Sequence, residues 1–322
     1  MKKIAVFTSG GDSPGMNAAI RAVVRAGIHS GLEVYGILRG YEGMIDGNFV
    51  PMDTRSVSNI IQLGGTILYT ARSERFRTPE GRKLAFENLK AHDIDGIVAI
   101  GGDGTFTGAD IFTKEYPLKI VGLPGTIDND LYGTDFTIGY DTAINTAMWA
   151  IDNIKDTANA HDRLFFVEVM GRDSGFIALR SAIAVGAEAV LIPETHTDID
   201  QLYDKVRTQS DLKKRACIVV VAEGDEFGGA YKISEEIRKR DPKLDIRVSV
   251  LGHMQRGGRP SCMDRFLASR LGLEAVKALN DGVSGVMIGQ SHNNITYTPF
   301  EKSIKLNNTL NPVLTEMVEI LS

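Results

Sequence analysis

Residues 3–31 read KIAVFTSGGDSPGMNAAIRAVVRAGIHSG, and this stretch decides the fold class. Lys3 to Thr8 is an unbroken apolar run closed by the turn Ser9-Gly10-Gly11-Asp12, and a run of that kind reads as a strand buried on both faces. Beyond the turn, Ile20, Val23, Val24, Gly27 and Ile28 recur at the spacing of one helix face, which Gly31 stops. The same alternation extends along the chain. Strands are expected at Val34 to Leu38, Gly96 to Ile100, Lys119 to Leu123, Leu164 to Val169, Ala189 to Ile192, Ala216 to Ala222, Val248 to Leu251 and Gly285 to Ile288. Nearly all are continuous rather than alternating, so helices must supply the crossovers and cover both sheet faces. The expected fold class is α/β.

A chain of 322 residues is too long for one small core, so two domains are expected. Its 36 Lys and Arg against 41 Asp and Glu give a formal charge of −5 with no long basic run, which excludes nucleic acid as the main partner. The longest apolar stretch, Ala216 to Ala222, is far short of the ~20 residues that cross a bilayer, so no membrane span is expected. Lys2 and Lys3 precede only Ile4 to Phe7 before the glycine turn, too little for a secretory signal, and the expected location is cytoplasmic. Cys217 and Cys262 have neither metal-ligand spacing nor a disulfide framework and read as packing residues. Asp198 with Gln201 reads as a capping box, and Asn311-Pro312 as a helix start. No Pro/Ser-rich linker marks a domain boundary.

The unusual polar residues sit where strands end. Ile4 to Thr8 leads into Ser9-Gly10-Gly11-Asp12, Ile97 to Ile100 into Gly101-Gly102-Asp103-Gly104-Thr105, and Val121 to Leu123 into Pro124-Gly125-Thr126-Ile127-Asp128-Asn129-Asp130. Met170-Gly171-Arg172, Glu223 and Gly252-His253-Met254-Gln255-Arg256-Gly257-Gly258 follow three further strands. Open parallel sheets bind ligands at such carboxyl ends. In the first two turns glycines expose backbone N–H groups at a helix start, which either cradles phosphate or simply makes a tight turn. Neither is a Walker A loop, because no Gly-Lys-Ser/Thr follows. Asp103 beside a phosphate turn would repel the ligand without a cation between them, and Mg²⁺ suits that position; the alternative is that Asp103 caps the following helix. Asp128 and Asp130, two apart, can divide proton acceptance from holding geometry, or can be an Asx-turn cluster. Arg72, Arg163, Arg172, Arg247, Arg256 and His253 lie in or beside turns, and arginine forks suit phosphate oxygens.

Gly101-Gly102-Asp103-Gly104, Pro124 to Asp130, Met170-Gly171-Arg172 and Gly252 to Gly258 together resemble bacterial ATP-dependent 6-phosphofructokinases, in order, from Lys3 to about Gly289. The resemblance implies two doubly wound, parallel-type sheet domains with helices on both faces. A larger ATP-binding domain would take residues 1–139 plus 255–304, and a smaller fructose-6-phosphate-binding domain residues 140–254 plus 305–322. It implies transfer of a phosphoryl group from MgATP to the 1-hydroxyl of fructose 6-phosphate. Gly11, Tyr41, Arg72, Ser73, Gly102, Asp103, Gly104, Thr105 and Gly108 would hold ATP, with Asp103 on Mg²⁺. Asp128 would be the base, and Arg72, Thr126 and Arg172 would serve the transferring group. Ile127, Asp130, Met170, Gly171, Glu223, His253, Met254, Gln255 and Arg256 would line the sugar phosphate. Arg163 and Arg247 would reach it from a neighbouring subunit, which implies a homotetramer with shared active sites.

Two rivals are a pyrophosphate-dependent phosphofructokinase and a non-catalytic nucleotide-sensing module. Pyrophosphate-using relatives commonly carry aspartate and lysine at the positions of Gly104 and Gly125, and glycine at both is expected to leave open space for a nucleotide. The family also implies an effector site for ADP or phosphoenolpyruvate, matched here by Arg21, Arg25, Arg55, Asn59, Lys155, Gly186, Glu188 and Lys214. Thr54, Lys155 and Leu212 replace two arginines and a lysine of that pattern, so weaker or altered effector coupling is expected.

Overall fold

The computed structural model describes residues 1–161, 163–211, 217–306 and 308–321. In chain order its elements begin β1 (Lys3–Thr8), α1 (Met16–His29), β2 (Glu33–Ile37), α2 (Gly40–Asp46), β3 (Phe49–Met52), α3 (Pro79–Ala91), β4 (Gly96–Gly101) and α4 (Asp103–Glu115). They continue with β5 (Lys119–Thr126), β6 (Ile138–Gly139), α5 (Tyr140–His161), β7 (Leu164–Val169), α6 (Phe176–Val185), β8 (Ala189–Leu191), α7 (Ile199–Asp211) and β9 (Cys217–Ala222). The last are α8 (Ala230–Arg240), β10 (Ile246–Val250), α9 (Cys262–Asn280), β11 (Val286–Ser291), β12 (Asn294–Pro299), α10 (Phe300–Lys305) and α11 (Pro312–Leu321).

These elements form two compact units. The first combines Met1–Ile127, Leu131–Thr142 and Arg256–Asn308; the second combines Asp128–Asp130, Ala143–Gln255 and Thr309–Ser322. The first unit's sheet runs β12-β11-β5-β4-β1-β2-β3, with β6 paired on β5. Its centre is parallel, and its two edges, β3 and β12, are antiparallel. Side chains alternate across β1, so Ile4 and Val6 join α1 and α9 on one face, while Ala5 and Phe7 join α2, α3, α4 and α10 on the other. Each large side chain buried this way contributes roughly 1.5–3 kcal/mol.

The second unit's sheet is wholly parallel, in the order β10-β7-β9-β8. Leu164, Phe166, Val219 and Val221 pack with Ile199, Leu202 and Val206 of α7 and Ile233 and Ile237 of α8. Helix α6 packs on β8 and β9, with α11 against it. Asp198 Oδ1 accepts from Gln201 N at 3.0 Å and starts α7, and Asn311 Oδ1 accepts from Val313 N at 3.1 Å and starts α11.

The edge strands depart from the expected set. β3 contains Pro51, which cannot donate to a ladder and is tolerated at an edge, and β12 alternates polar and apolar residues, so neither offers a continuous apolar run. Among the described residues no helix is long and apolar enough to cross a membrane.

Candidate active site

In the first unit the turns after β1 and β4 and the end of β5 lie side by side. Ser9 N donates to Ile100 O at 3.0 Å, Thr105 Oγ1 donates to Ser9 O at 3.3 Å, and a Cβ on Gly102 would stand 3.7 Å from Thr126 Cβ. β1 has β2 on one side and β4 on the other, so strand order reverses between β1 and β4, where an open sheet forms a ligand crevice. Gly102 takes the N-cap position of α4 and Asp103 is its first helical residue. The aspartate is therefore not the cap residue; its carboxylate sits in the first turn, where the helix dipole favours negative charge. Among the described residues no group of three His, Cys, Asp or Glu could hold a metal. A cation at Asp103 would have to complete its shell from phosphate oxygens and water, which fits Mg²⁺.

Gly104 and Gly125, expected to leave space for a nucleotide, differ. A Cβ on Gly104 would meet nothing within 4 Å, but one on Gly125 would meet Ile100 Cγ2 at 2.9 Å and Met16 Cε at 3.1 Å. Open space is found at position 104 only; Gly125 is small because β5 packs closely on β4 and α1.

Tyr41 and Gly108 support this site from behind. The Tyr41 hydroxyl donates to Thr105 O at 2.6 Å, its ring stacks on Phe76 with centroids 3.9 Å apart, and a Cβ on Gly108 would press on that ring at 3.0 Å. Burial pushes the Tyr41 phenol above its ordinary range. Ser73 Oγ donates to the Glu42 carboxylate and accepts from Phe76 N at 3.1 Å, so its hydroxyl is already engaged. Arg75 is tied to Glu42 and Asp46 at 2.7 Å, whereas Arg72 is exposed and makes no ion pair among the described residues. Arg256 also belongs to the first unit, where a Cβ on Gly11 would collide with its Nη1 at 2.6 Å. Thr126 and Ile127 are buried there, and Thr137 Oγ1 donates to Thr126 O at 2.6 Å. The buried Asp264 carboxylate accepts from Gly139 N and Thr142 N, both at 2.8 Å, anchoring β6 and the first turn of α5. Neither Thr137 nor Asp264 was singled out in the sequence; the one written signal is an aspartate inside a helix with an otherwise apolar buried face.

In the second unit, Asp128, Gly171, Arg172 and Glu223 come together. Ser174 Oγ lies 2.9 Å from Asp128 O and 3.0 Å from Gly171 O, and Glu223 Oε1 accepts from Arg172 N at 2.8 Å. Asp128 is buried, Asn129 has φ 54°, Arg172 has φ 54°, and Asp130 is half-buried. Gln255, fully buried, accepts from Met170 N at 3.3 Å and donates to Gly252 O at 3.0 Å, while His253 and Met254 are exposed. Gln255 thus shapes the turn through its amide, in the interior.

Arg163 and Arg247 do not join this cluster. Arg163 precedes β7 and Arg247 is the second residue of β10, and both grip Asp245, at 2.8 and 3.0 Å. The two arginines, chiefly Arg163, hold the Asp245 carboxyl below its usual range. They stand at the amino ends of their strands, whereas Met170, Gly171, Arg172 and Glu223 stand at carboxyl ends. A strand of this length separates its ends by about 20 Å.

The residues matched to the effector pattern divide between the units. Arg21, Arg25, Arg55 and Asn59 lie in the first, Arg21 half-buried and the others exposed. In the second, Lys155 Nζ donates to the carbonyl of Val185 and, at 3.4 Å, to that of Gly186, which closes α6 with φ 57°. Glu188 is buried and its Oε2 accepts from Ile218 N at 2.6 Å. Lys214 and Leu212 lie outside the described residues.

The phosphofructokinase family model matches residues 3–279. An ATP-dependent 6-phosphofructokinase of Cytophaga hutchinsonii is 57% identical over 100% of this chain and 98% of its own length. One from Thermus thermophilus is 53% identical over 100% of both. Among solved structures, phosphofructokinase from Saccharomyces cerevisiae superposes with a TM-score of 0.89 at 40% identity, covering 95% of this chain and 45% of that one.

Proposed function

The chain belongs to the phosphofructokinase family and is an ATP-dependent 6-phosphofructokinase, and on that premise we propose how its residues divide the work. The phosphotransfer gives fructose 1,6-bisphosphate and ADP. The first unit binds ATP, with the N–H groups of Gly11, Gly102 and Gly104 on its phosphates and Thr105 beside them. Asp103 would hold Mg²⁺, which would supply positive charge against the phosphates of ATP. The second unit binds the sugar through Asp130, Met170, Gly171, Arg172, Glu223 and His253. Asp128 takes the proton of the 1-hydroxyl as that oxygen bonds to the γ-phosphorus; the bond from phosphorus to the bridging oxygen breaks, and ADP leaves with its electron pair. Arg72, Thr126 and Arg172 supply charge and hydrogen bonds to the transferring group.

The observation that carries the ATP reading is the meeting of the glycine turns after β1 and β4 at the strand-order reversal, beside the end of β5, with open space at Gly104. A coupled assay with fructose 6-phosphate, comparing ATP with pyrophosphate, tests it: efficient turnover of pyrophosphate would overturn it. Asp128→Asn should lower kcat by ~10²- to 10⁴-fold with KM much less affected. Near-normal kcat in that variant would remove Asp128 from the base role.

A cytoplasmic homotetramer with shared sites follows from the same premise. Its support is the placement of Arg163 and Arg247 at the amino ends of β7 and β10, from which they cannot reach a sugar held by Glu223 of the same chain. ADP and phosphoenolpyruvate act at the Arg21 and Arg25 face. Their coupling is weaker or altered in preference, because Thr54, Lys155 and Leu212 replace two arginines and a lysine, and Lys155 bonds the end of α6.

A further inference from the structure

Arg72 reaches the reaction from residues 53–74, which contain no helix or strand. Such a segment keeps a side chain in place only if its backbone polar groups are tied to something rigid. Arg39 N donates to Leu68 O at 2.8 Å and Ser73 Oγ bonds Glu42, but the side chain with the most bonds to the segment is Asn17, in the first turn of α1 and 1% exposed. Its Oδ1 accepts from Ile67 N at 2.8 Å, and its Nδ2 donates to Leu63 O at 3.2 Å and Gly64 O at 3.1 Å. One acceptor and two donors on a short stem describe asparagine alone: aspartate has no donor, and glutamine is a methylene longer. Asparagine is a poor helix residue, so its place among Met16, Ala18, Ala19 and Ile20 answers to this contact. A second tie lies closer to Arg72. Thr8 Oγ1, at the end of β1, donates to Tyr69 O at 2.9 Å and stands 2.9 Å from Thr66 Oγ1.

We propose that Asn17, seconded by Thr8, is a positioning residue for phosphoryl transfer, holding the 63–69 segment so that Arg72 meets the transferring group. The inference rests on the role given to Arg72 above. Asn17 touches neither substrate; it acts through the loop backbone, and misplacing a catalytic group by about 1 Å can cost ~10²-fold in rate.

The test is steady-state kinetics of the full chain with ATP and fructose 6-phosphate, on Asn17→Ala, Thr8→Val, Arg72→Ala and the doubles with Arg72→Ala. Asn17→Ala and Thr8→Val should each lower kcat by about 10- to 100-fold with both KM values nearly unchanged. Neither should slow Arg72→Ala further, since a residue acting through Arg72 has nothing left to position. Losses that multiply in the doubles would reassign Asn17 to general structure and overturn the proposal, as would normal kcat in the single variants. If Arg72→Ala itself keeps normal kcat, the role of Arg72 fails first and the proposal falls with it. Should Asn17→Ala not fold, the near-isosteric Thr8→Val decides on the same criteria.

Discussion

Alanine at two glycines should act in opposite directions, although both flank the same proposed phosphate site. At Gly125 the new methyl would stand 2.9 Å from Ile100 Cγ2, 3.1 Å from Met16 Cε and 3.3 Å from Gly101 N. Met16 Cε ends a flexible side chain and can move. Ile100 is β-branched in the neighbouring strand, and Gly101 N is backbone, so β4 and β5 must part by a few tenths of an ångström. Overpacking of this kind costs about 1–3 kcal/mol, which for a chain of this size lowers the thermal midpoint on the order of 5 °C. At Gly104, the second residue of α4, a methyl meets nothing within 4 Å, and alanine's helix preference adds up to about 1 kcal/mol. Thermal unfolding of the two alanine variants reads both signs. Initial rates against ATP for Gly104→Asp read the function of the open space: kcat/KM for ATP should fall while the midpoint stays near the parent's. An unchanged midpoint in Gly125→Ala would refute the packing argument, and undiminished ATP use by Gly104→Asp would refute the assignment of that space to the nucleotide.

Burial pushes the Asp264 carboxyl up to about 6, against the opposing pull of its bonds from Thr142 and Gly139. Because the native value is raised, the folded chain takes up a proton first as pH falls; the contribution is complete below about 4 and is lost as pH rises through about 6. Between pH 7 and pH 5 the wild type should therefore gain about 1 kcal/mol relative to Asp264→Asn in denaturant unfolding, and parallel pH profiles would rule the titration out. Lys155→Ala should cost about 1 kcal/mol by freeing the last carbonyls of α6, and should leave the response of fructose 6-phosphate saturation to ADP intact. Arg21→Ala/Arg25→Ala should abolish that response. Loss of the ADP response in Lys155→Ala would put the ammonium in the effector site.

The strands that carry the glycine turns were legible because both of their faces are buried, which writes them as unbroken apolar runs such as Ile97 to Ile100. β12 was not, because an edge strand with one solvated face spells Ile295, Thr296, Tyr297, Thr298, which no turn pattern separates from loop. Glycine announces that a side chain is unwelcome without saying what excludes it, so Gly104 and Gly125 read alike in the sequence and differ in space. The arginines show a second limit. Arg163 and Arg172 both lie beside turns, but only the direction of β7 separates one from the other. Asn17 was invisible as a site residue because its partners, the carbonyls of Leu63 and Gly64 and the N–H of Ile67, are backbone groups that any sequence provides.

The first unit is assembled from three separated stretches of chain, and the second interrupts it. A ribosome that has just added Val250 has made every strand of the small sheet, yet the large sheet still lacks β11 and β12, and α1 still lacks α9. During synthesis, then, the sheet begun first is finished last. Until residues 262–299 emerge, the edge of β5 that β11 will cover and the apolar side of α1 that α9 will cover have no partner from their own chain.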